Sequence, residues 1–353
     1  MTAVYVVVPD GVDDPARPSG GNTYDRRVCR GLADLGWVVH ECPVPGPWPR
    51  PDDAANARLA RVIAAIPVGS VVLLDGLIAS SAPEALVPEA ARLRLVVVVH
   101  LPLGTMTDGP VDETREREQA VLAAAAAVVA TSAWTRRWLL EHYALAASAV
   151  HVAEPGVDAA GLAPGTPAGG ALLCVAAVAP HKGHDVLVAA LARITDLDWR
   201  CLLVGALDRD AAFVQRLTRQ AADAGVADRM TFAGPLAGAG LDHAYAAADV
   251  LVLASHAETY AMVVTEALAH GLPVLATAVG GLPQAVGRAT GGRPSLLVRP
   301  GDPDALAAAL RCWLTDPRLR GRLRDRARER RATLAPWSTT SARIDQVLTE
   351  VAA

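Results

Sequence analysis

Two glutamates separated by seven residues, Glu258 and Glu266, have the types and spacing of a ligand-binding pair. The apolar run from Val250 to Ala254 predicts a buried strand, and the pattern from Ala261 to His270 predicts a helix. Glu258 then lies in the connecting loop and Glu266 on the helix, whose first N–H groups attract an anion. Because carboxylates accept hydrogen bonds from hydroxyls, the pattern predicts a ligand with hydroxyls at both ends and phosphate between them.

The next apolar run, Pro273 to Thr277, predicts a second strand after this helix. Strand, helix and strand form a βαβ unit, and ligands of such sheets bind outside the carboxyl ends of the strands. We therefore expect both glutamates at the mouth of an α/β sheet.

The first half of the chain repeats the same alternation of strand and helix. Apolar runs predict strands at residues 4–8, 38–41, 71–75, 95–100, 128–131 and 150–153. Helical patterns lie between them at residues 24–35, 54–66, 82–91, 120–127 and 133–142. Continuous apolar strands that alternate with helices are typical of a parallel sheet.

A stretch rich in glycine and proline, Gly161 to Gly170, predicts a linker, and a second set of strands follows it. These strands are predicted at residues 172–178, 199–204, 230–233, 250–254, 274–277 and 295–298. The chain ends in an arginine-rich helix at 317–331 and a last helix at 338–351. The expected fold class is α/β, with two tandem Rossmann-like doubly wound domains and a cleft between them. We place the domains at residues 1–163 and 164–336, with the terminal helix, 337–353, crossing back to the first.

The composition excludes several classes of protein. The chain has 353 residues, a formal net charge of −4 and 52% apolar residues, which favours an ordinary globular protein without an electrostatic footprint for nucleic acid. The longest apolar stretch, Ala120 to Ala130, is shorter than the roughly 20 residues of a membrane span, and no signal peptide is recognised. We therefore expect a cytoplasmic protein. The five cysteines have no metal-site or disulfide spacing and are interpreted as small apolar side chains: Cys29, Cys42, Cys174, Cys201 and Cys312.

Four motifs in this order resemble those of retaining glycosyltransferases of family 4, the glycosyl transferases of group 1. They are the SGGN sequence at 19–22, TSAWTRRWLLEHY…VHVAEPGVD at 131–158, the APHKGH turn at 179–184 and the glutamate pair. The resemblance implies the GT-B fold, with a nucleotide sugar on the C-terminal domain and an acceptor on the N-terminal domain. It also implies transfer with retention of the anomeric configuration. The abundance of alanine and arginine is typical of a GC-rich bacterial gene.

Catalytic and donor-binding roles follow from this resemblance. Lys182 stabilises the charge of the departing diphosphate, as a fixed cation at the mouth of a sheet does. Glu266 accepts the two ribose hydroxyls, and Glu258 accepts hydroxyls of the donor sugar. The loop and first helical turn after Glu258 assist through their backbone N–H groups, which belong to Thr259, Tyr260, Ala261 and Met262.

The first domain is expected to supply donor and acceptor contacts. Gly20 and Gly21 lie between a strand and a helix, where the missing side chains let the backbone approach a phosphate or a sugar. A plain turn is the alternative for these glycines. Asn22 is assigned to the acceptor, with a helix cap as its alternative role.

His100 ends the apolar strand of the first domain, so we expect it at the carboxyl edge of that sheet. The resemblance implies a contact from His100 to the donor sugar, the leaving phosphate or the acceptor. A structural, hydrogen-bonded histidine is the alternative. Arg136 is assigned to the acceptor, although Arg137 competes for this role and an exposed helix face would explain both.

Two positions depart from the pattern that the resemblance implies. Ala177 stands where an arginine is common, so we expect His181, His184 or an arginine of the first domain to replace its charge. Ala261 stands where a glycine is frequent. The aspartates of ALDRDA, Asp208 and Asp210, are interpreted as a solvated turn, and the resemblance implies that no metal takes part.

No cofactor is expected beyond a UDP- or GDP-sugar co-substrate, and the expected partner is a small-molecule acceptor. The alternative function is a catalytically silent nucleotide-sugar-binding subunit that activates a partner enzyme, and a third is epimerisation or phosphorolysis. A membrane-surface acceptor stays open because Arg26, Arg27 and Arg30 lie on one predicted helix. Oligomeric state and acceptor identity are also open.

Overall fold

The computed structural model describes residues 2–14, 18–105 and 111–353. These residues form two compact units. Unit 1 holds residues 2–13, 19–156 and 335–353, and unit 2 holds residues 157–334 with Asp14 and Pro18. Each unit contains one six-stranded sheet.

The strands lie close to the predicted positions. Those of unit 1 are β1 (Ala3–Pro9), β2 (Val38–Val44), β3 (Val71–Asp75), β4 (Arg94–Val99), β5 (Ala127–Ala130) and β6 (Val150–Val152). Those of unit 2 are β7 (Ala171–Val175), β8 (Arg200–Val204), β9 (Met230–Gly234), β10 (Val250–Leu253), β11 (Val274–Thr277) and β12 (Ser295–Val298).

Helices connect the strands. The first six, in unit 1, are α1 (Gly20–Asp34), α2 (Asp53–Ala64), α3 (Gly76–Ala79), α4 (Pro83–Leu86), α5 (Val111–Ala124) and α6 (Ala133–His142). Unit 2 has α7 (His184–Leu191), α8 (Ala211–Asp223), α9 (Ala239–Ala246), α10 (Met262–Ala269), α11 (Leu282–Val286), α12 (Pro303–Thr315) and α13 (Pro317–Arg331). The last helix, α14 (Trp337–Ala352), belongs to unit 1.

Both sheets are parallel and doubly wound, which confirms the predicted fold class. The strand order is β2-β1-β3-β4-β5-β6 in unit 1 and β12-β11-β10-β7-β8-β9 in unit 2. Every residue of β3, β5, β10 and β11 is buried, as expected for strands covered by helices on both faces. The order reverses between β1 and β3 in unit 1 and between β7 and β10 in unit 2. Such switch points leave a crevice at the carboxyl ends of the strands.

Three predicted helices in unit 1 have different bounds in the structure. The predicted helix at 82–91 is wrong: α4 ends at Leu86 and a 3₁₀ turn occupies Pro88–Ala91, because Pro88 has no N–H to continue the helix. The helix predicted at 120–127 begins at Val111 in the structure. Its first turns are mostly polar and charged, so they lack the apolar periodicity that would predict a helix there. Helix α1 begins at Gly20 instead of Tyr24 because Ser19 caps it.

The last helix packs on α1 within unit 1. The indole N–H of Trp37 donates to the carboxylate of Asp345, at 2.7 Å. A methyl group added at Gly31 would lie 1.9 Å from Oγ of Ser341, so the two helices are in close contact at this glycine. The C-terminal residues therefore complete the core of unit 1.

The stretch predicted as a linker is bonded to the sheet of unit 2. The fully buried carboxylate of Asp249 accepts the hydroxyl of Thr166 at 2.6 Å and the backbone N–H of Ala171 at 2.9 Å. The guanidinium of Arg324 neutralises it from 2.8 Å. These bonds fix the entry of the chain into β7. In the part of the chain that the structure describes, no helix has the length and apolar character to cross a bilayer.

Candidate functional site

The switch point of unit 2 brings the predicted lysine and one glutamate together. Lys182 lies in the 3₁₀ turn after β7, and Glu258 lies in the loop after the adjacent strand β10. Nζ of Lys182 lies 2.8 Å from Oε1 of Glu258, and the hydroxyl of Ser255 donates to the same oxygen at 2.7 Å. The glutamate side chain is only 10% exposed, which strengthens this charge-assisted bond.

Lys182 is the only lysine of a chain that has 33 lysines and arginines together. An ammonium is a compact, strongly hydrated point charge, whereas a guanidinium spreads its charge over a planar fork. The one lysine side chain of the sequence thus lies at the switch point of unit 2. A count of residue types in the sequence would have singled it out.

Glycines let the loops of this site approach one another closely. A methyl group at Gly183 would lie 2.0 Å from the carbonyl oxygen of Ala254, and one at Gly280 would lie 1.8 Å from that of Glu258. Both glycines also have positive φ, 64° and 52°, which an L side chain rarely adopts. The backbone N–H of Gly281 donates to the Glu258 carbonyl at 2.9 Å. The loops after β7, β10 and β11 are therefore held as one assembly.

The first turn of α10 presents two backbone donors. Ala261 precedes it with φ +71°, the only positive φ of a non-glycine residue among the described residues. No side chain caps this helix, and the N–H groups of Met262 and Val263 have no recorded acceptor in the described part of the chain. A helix start with free N–H groups favours an anion.

Glu266 lies on α10, as predicted, and its carboxylate is held by a tyrosine. The hydroxyl of Tyr245 donates to Oε2 of Glu266 at 2.7 Å, and the tyrosine ring stacks on His270 at 4.9 Å. Burial raises the pKa of Glu266, the hydrogen bond from Tyr245 lowers it, and repulsion from Asp158 and Asp242 raises it, with a raised pKa as the net result. Tyr245 is not predicted from the sequence, because no motif marks a tyrosine on the preceding helix α9.

Each glutamate keeps one oxygen without a protein partner. Glu258 uses Oε1 for both of its recorded hydrogen bonds, and Glu266 uses Oε2. Neither Oε2 of Glu258 nor Oε1 of Glu266 has a hydrogen bond to the residues that the structure describes. Two carboxylate oxygens are therefore ready to accept hydroxyl groups of a ligand.

His184 does not replace the charge that Ala177 lacks. Burial, followed by the positive charge of Lys182, lowers the pKa of His184 to about 4, so the imidazole is neutral at pH 7. Its Nε2 lies 3.8 Å from Sγ of Cys174, inside the core. All five cysteines are free, as predicted. Asp210 caps α8 through the N–H of Phe213 at 2.8 Å, which fits a structural role for that aspartate.

The switch point of unit 1 holds a second group of predicted residues. Gly20 and Gly21 form the first turn of α1, so the predicted loop is wrong at these positions. Asn22 does not cap this helix; instead its backbone N–H donates to Oγ of Ser19 at 3.1 Å. The N–H groups of Gly20 and Gly21 have no recorded acceptor among residues 2–14, 18–105 and 111–353. They are available to a ligand.

His100 follows β4, and its imidazole lies beside two aspartates. Its Nε2 lies 2.9 Å from Oδ1 of Asp25 on α1 and 3.6 Å from Oδ2 of Asp75 at the end of β3. Both aspartates are buried. The rings of Tyr24 and His100 form an edge-to-face pair, with 5.1 Å between ring centroids. The sequence predicts His100 at this edge of the sheet but does not indicate its carboxylate partners.

Arg136 donates to backbone carbonyls. Its guanidinium bonds to the carbonyl oxygens of Val150 and Ala147, each at 2.8 Å. Ser132 caps the same helix, α6, through the N–H of Thr135 at 2.9 Å. These contacts give Arg136 a structural role at the start of β6, and the neighbouring Arg137 is exposed.

The fold defines the class of protein, and comparison with solved structures agrees with it. Over 99% of each chain, the structure superposes on a sucrose-phosphate synthase from Thermosynechococcus elongatus with a TM-score of 0.79 and 21% identity. It also superposes on Anabaena HepE in complex with UDP-glucose with a TM-score of 0.79 and 18% identity, over 99% of this chain and all of the other. The two Rossmann-like units thus have the GT-B fold.

The sequence of unit 2 matches a known family. Residues 169–330 match the family described as glycosyl transferases group 1. Two curated relatives are D-inositol 3-phosphate glycosyltransferases. The one from Kineococcus radiotolerans is 36% identical over 64% of this chain and 57% of its own length. The one from Frankia alni is 34% identical over 64% of this chain and 58% of its own length. The chain thus spans little more than half the length of these relatives.

Proposed function

We propose that this protein is a retaining glycosyltransferase that moves a sugar from a nucleotide-diphosphate sugar to a small hydroxylated acceptor. The observation that carries the proposal is the 2.8 Å pair of Lys182 and Glu258 at the switch point of a group 1 glycosyl transferase unit. A lone buried ion pair would be structural. Here it stands beside a free helix start and a second carboxylate with an unpaired oxygen.

The donor fits these groups in order along its length. Oε1 of Glu266 accepts a ribose hydroxyl, and the N–H groups of Met262 and Val263 bind the diphosphate. The ammonium of Lys182 lies beside the phosphate next to the sugar, and Oε2 of Glu258 accepts a hydroxyl of the sugar. UDP-glucose is the first donor to test because HepE, with the same fold, is described in complex with it. GDP-sugars are the second choice.

The reaction needs few protein groups. The acceptor oxygen bonds to the anomeric carbon while the bond from that carbon to the diphosphate oxygen breaks. The electrons of the broken bond remain on the diphosphate, which also takes the acceptor proton on the same face. Lys182 stabilises the charge that develops there, and a fixed cation of this kind contributes on the order of 100-fold in rate or more.

Unit 1 is the proposed acceptor-binding unit. Asn22 and His100 lie at its switch point and would contact the acceptor or the donor sugar, with Gly20 and Gly21 offering their N–H groups. Arg136 stays a proposed acceptor residue only if it exchanges its carbonyl partners for a ligand. The names of the curated relatives make an inositol phosphate one acceptor to test.

The test combines binding and turnover. In a thermal-shift assay with a panel of UDP- and GDP-sugars, the donor should raise the Tm of the wild-type chain and leave the Tm of Glu266→Ala unchanged. Glu350→Ala, on the exposed face of α14, is the control and should show the same rise in Tm as wild type. Nucleotide release from the bound donor should be slow without acceptor and absent in Lys182→Ala. NMR of the product should show the anomeric configuration of the donor.

The alternatives predict different results. Binding without any nucleotide release would indicate the catalytically silent subunit, and dependence on inorganic phosphate would indicate phosphorolysis. If every ligand stabilises wild type and Glu266→Ala equally, the donor site does not lie on α10 and the proposal is wrong.

A further inference from the structure

Three elements of unit 1 converge on one imidazole. His100 follows β4, Asp75 ends β3, and Asp25 lies on the second turn of α1. The ring packs against the helix itself, since a methyl group at Gly21 would lie 3.4 Å from its Cδ2. The ring of Tyr24 makes an edge-to-face contact with the imidazole and helps to fix its position.

The two aspartates have different bonds. Oδ1 of Asp75 accepts the backbone N–H of Leu77 at 2.6 Å, so this carboxylate is already satisfied in part as the cap of α3. Asp25 is buried, its Oδ1 lies 2.9 Å from Nε2 of His100, and its carboxyl group also hydrogen-bonds to the carboxyl group of Asp75. Its other oxygen, Oδ2, is buried and accepts no N–H group of the residues that the structure describes. A buried carboxylate that stays ionised needs a cation beside it, and His100 is the group in contact with Asp25 that can carry positive charge.

The second nitrogen of His100 has no protein partner. Only Nε2 has recorded partners, a hydrogen bond to Asp25 and a longer ion-pair contact with Asp75, and Nδ1 has none among the residues that the structure describes. An imidazole held through one nitrogen by a carboxylate presents the other nitrogen in a defined direction. When the ring is charged, both nitrogens are donors.

We propose that Asp25 is a positioning residue that holds His100 as an imidazolium, so that Nδ1–H donates a hydrogen bond to an oxygen of the bound substrate. The proposal rests on the proposed function insofar as His100 contacts the substrate. It assigns His100 the role of a donor and excludes that of a general base, because a charged ring has no lone pair to take the acceptor proton.

The electrostatics of the cluster support the charged form. Burial lowers the pKa of His100, but the charge and hydrogen bond of Asp25, with the charge of Asp75, outweigh it and raise the pKa to about 9. Burial, followed by the charge of Asp25, raises the pKa of Asp75. Asp25 and Tyr24 on α1 and Asp75 on β3 are the titratable groups recorded against the ring. Asp25 is thus the carboxylate with the larger effect on His100.

The first measurement is independent of activity. The full chain with ¹³C-labelled histidine is titrated by NMR, and His100→Gln identifies the signal. In wild type, the His100 signal should titrate near pH 9. In Asp25→Asn, the His100 signal should titrate at least two pH units lower than in wild type. In Asp75→Asn, the shift should be smaller. Asp52→Asn, which alters the cap of α2, is the control and should leave the titration of His100 at the wild-type value.

The second measurement uses turnover of the donor that the panel identifies. Wild-type kcat/KM should be level between pH 6 and 8. That of Asp25→Asn should match wild type within a few-fold at pH 6 and fall about tenfold by pH 8, because the ring loses its proton in that interval. Recovery at low pH distinguishes positioning from misfolding, which pH would not repair.

Each contrary result has a distinct meaning. An unshifted His100 signal in Asp25→Asn, or activity that rises with pH in that variant, would overturn the proposal. Elemental analysis could also overturn the proposal, because the side chains of Asp25, Asp75 and His100 could together ligate a metal ion. The overturning result is one equivalent of metal in wild type and none in Asp25→Asn. If no nucleotide sugar is turned over by wild type, the proposed function fails, while the NMR titration still decides the charge of His100.

Discussion

The ammonium of Lys182 and the carboxylate of Glu258 lie 2.8 Å apart, although 76 residues separate them in the chain. In the absence of ligand, each therefore neutralises the other. A diphosphate that binds to Lys182 competes with Glu258 for the same positive charge, so the two halves of the pair should have opposite effects on nucleotide affinity.

Replacing each partner in turn tests this competition. Glu258→Gln should bind UDP several-fold more tightly, because Lys182 loses its counter-ion, yet transfer should fall at least about 100-fold. Lys182→Ala should bind UDP about 10- to 100-fold more weakly, the size of one charged hydrogen bond. Titration calorimetry measures both affinities, and Asp304→Asn, from the exposed pair with Arg193, is the control. Weaker UDP binding in both variants would show that the pair does not compete with the ligand.

The single lysine allows a chemical test of its position. An amine-reactive reagent should modify only Lys182 and the N-terminal amine, because the chain has no other lysine. A bound nucleotide sugar should slow modification of Lys182 at least about tenfold by covering the ammonium. Peptide mass spectrometry gives both rates, and the N-terminal amine is an internal control. Equal modification with and without ligand would place Lys182 outside the donor site.

Tyr245 should support nucleotide binding through Glu266. Tyr245→Phe removes the 2.7 Å hydrogen bond and should weaken UDP binding about tenfold, within the range for hydrogen bonds to charged groups. Burial raises the pKa of Glu266 and the tyrosine opposes that rise, so the pKa should rise further in the variant. Because the ionised carboxylate is the better acceptor, the affinity for UDP should fall as the pH drops. In Tyr245→Phe this fall should begin at a higher pH than in wild type. Calorimetry between pH 5 and 8 tests this, with Tyr5→Phe as the control.

Two glycines with the same backbone conformation allow the effect of backbone strain on stability to be distinguished from the effect of a close contact. Gly183 and Gly225 have φ of 64° and 67°, but only at Gly183 would a methyl group meet another residue, 2.0 Å from the Ala254 carbonyl. Gly225→Ala should lower the free energy of unfolding by about 1–2 kcal/mol and leave donor binding intact. Gly183→Ala should lose more stability and also donor binding. Urea unfolding and calorimetry measure the two effects, and equal losses would contradict the close contact of the loops.

Ala261 carries backbone strain at the start of α10. Its φ of +71° costs about 1–2 kcal/mol for an L residue, whereas glycine adopts it freely at the expense of about 0.5–1 kcal/mol of unfolded-state entropy. Ala261→Gly should therefore leave the free energy of unfolding unchanged or raise it by up to about 1 kcal/mol. Ala308→Gly, on the exposed face of α12, should lower it by about 1 kcal/mol. An equal decrease in the free energy of unfolding for Ala261→Gly and Ala308→Gly would show that the backbone of Ala261 is not strained.

Local patterns were sufficient for much of unit 2. The apolar run before Ser255 and the helical pattern after Tyr260 placed Glu258 in a loop and Glu266 on a helix, and the structure confirms both. Strand positions were also predictable, because each strand is a short apolar run bounded by turn residues. The start of α1 was not, since two glycines suggest a loop and only the cap from Ser19 makes them helical.

The sequence by itself determined the alternation of strands and helices, the loop and helix that hold the two glutamates, and the edge of the sheet at which His100 lies. The tertiary structure alone decided which of these side chains meet. Asp25 reaches His100 because β1, β3 and β4 are neighbours in one sheet, and Lys182 reaches Glu258 because β7 lies beside β10. Periodicity reports only on residues a few positions apart, whereas strand order depends on how distant apolar faces pack, so these contacts have no local signal.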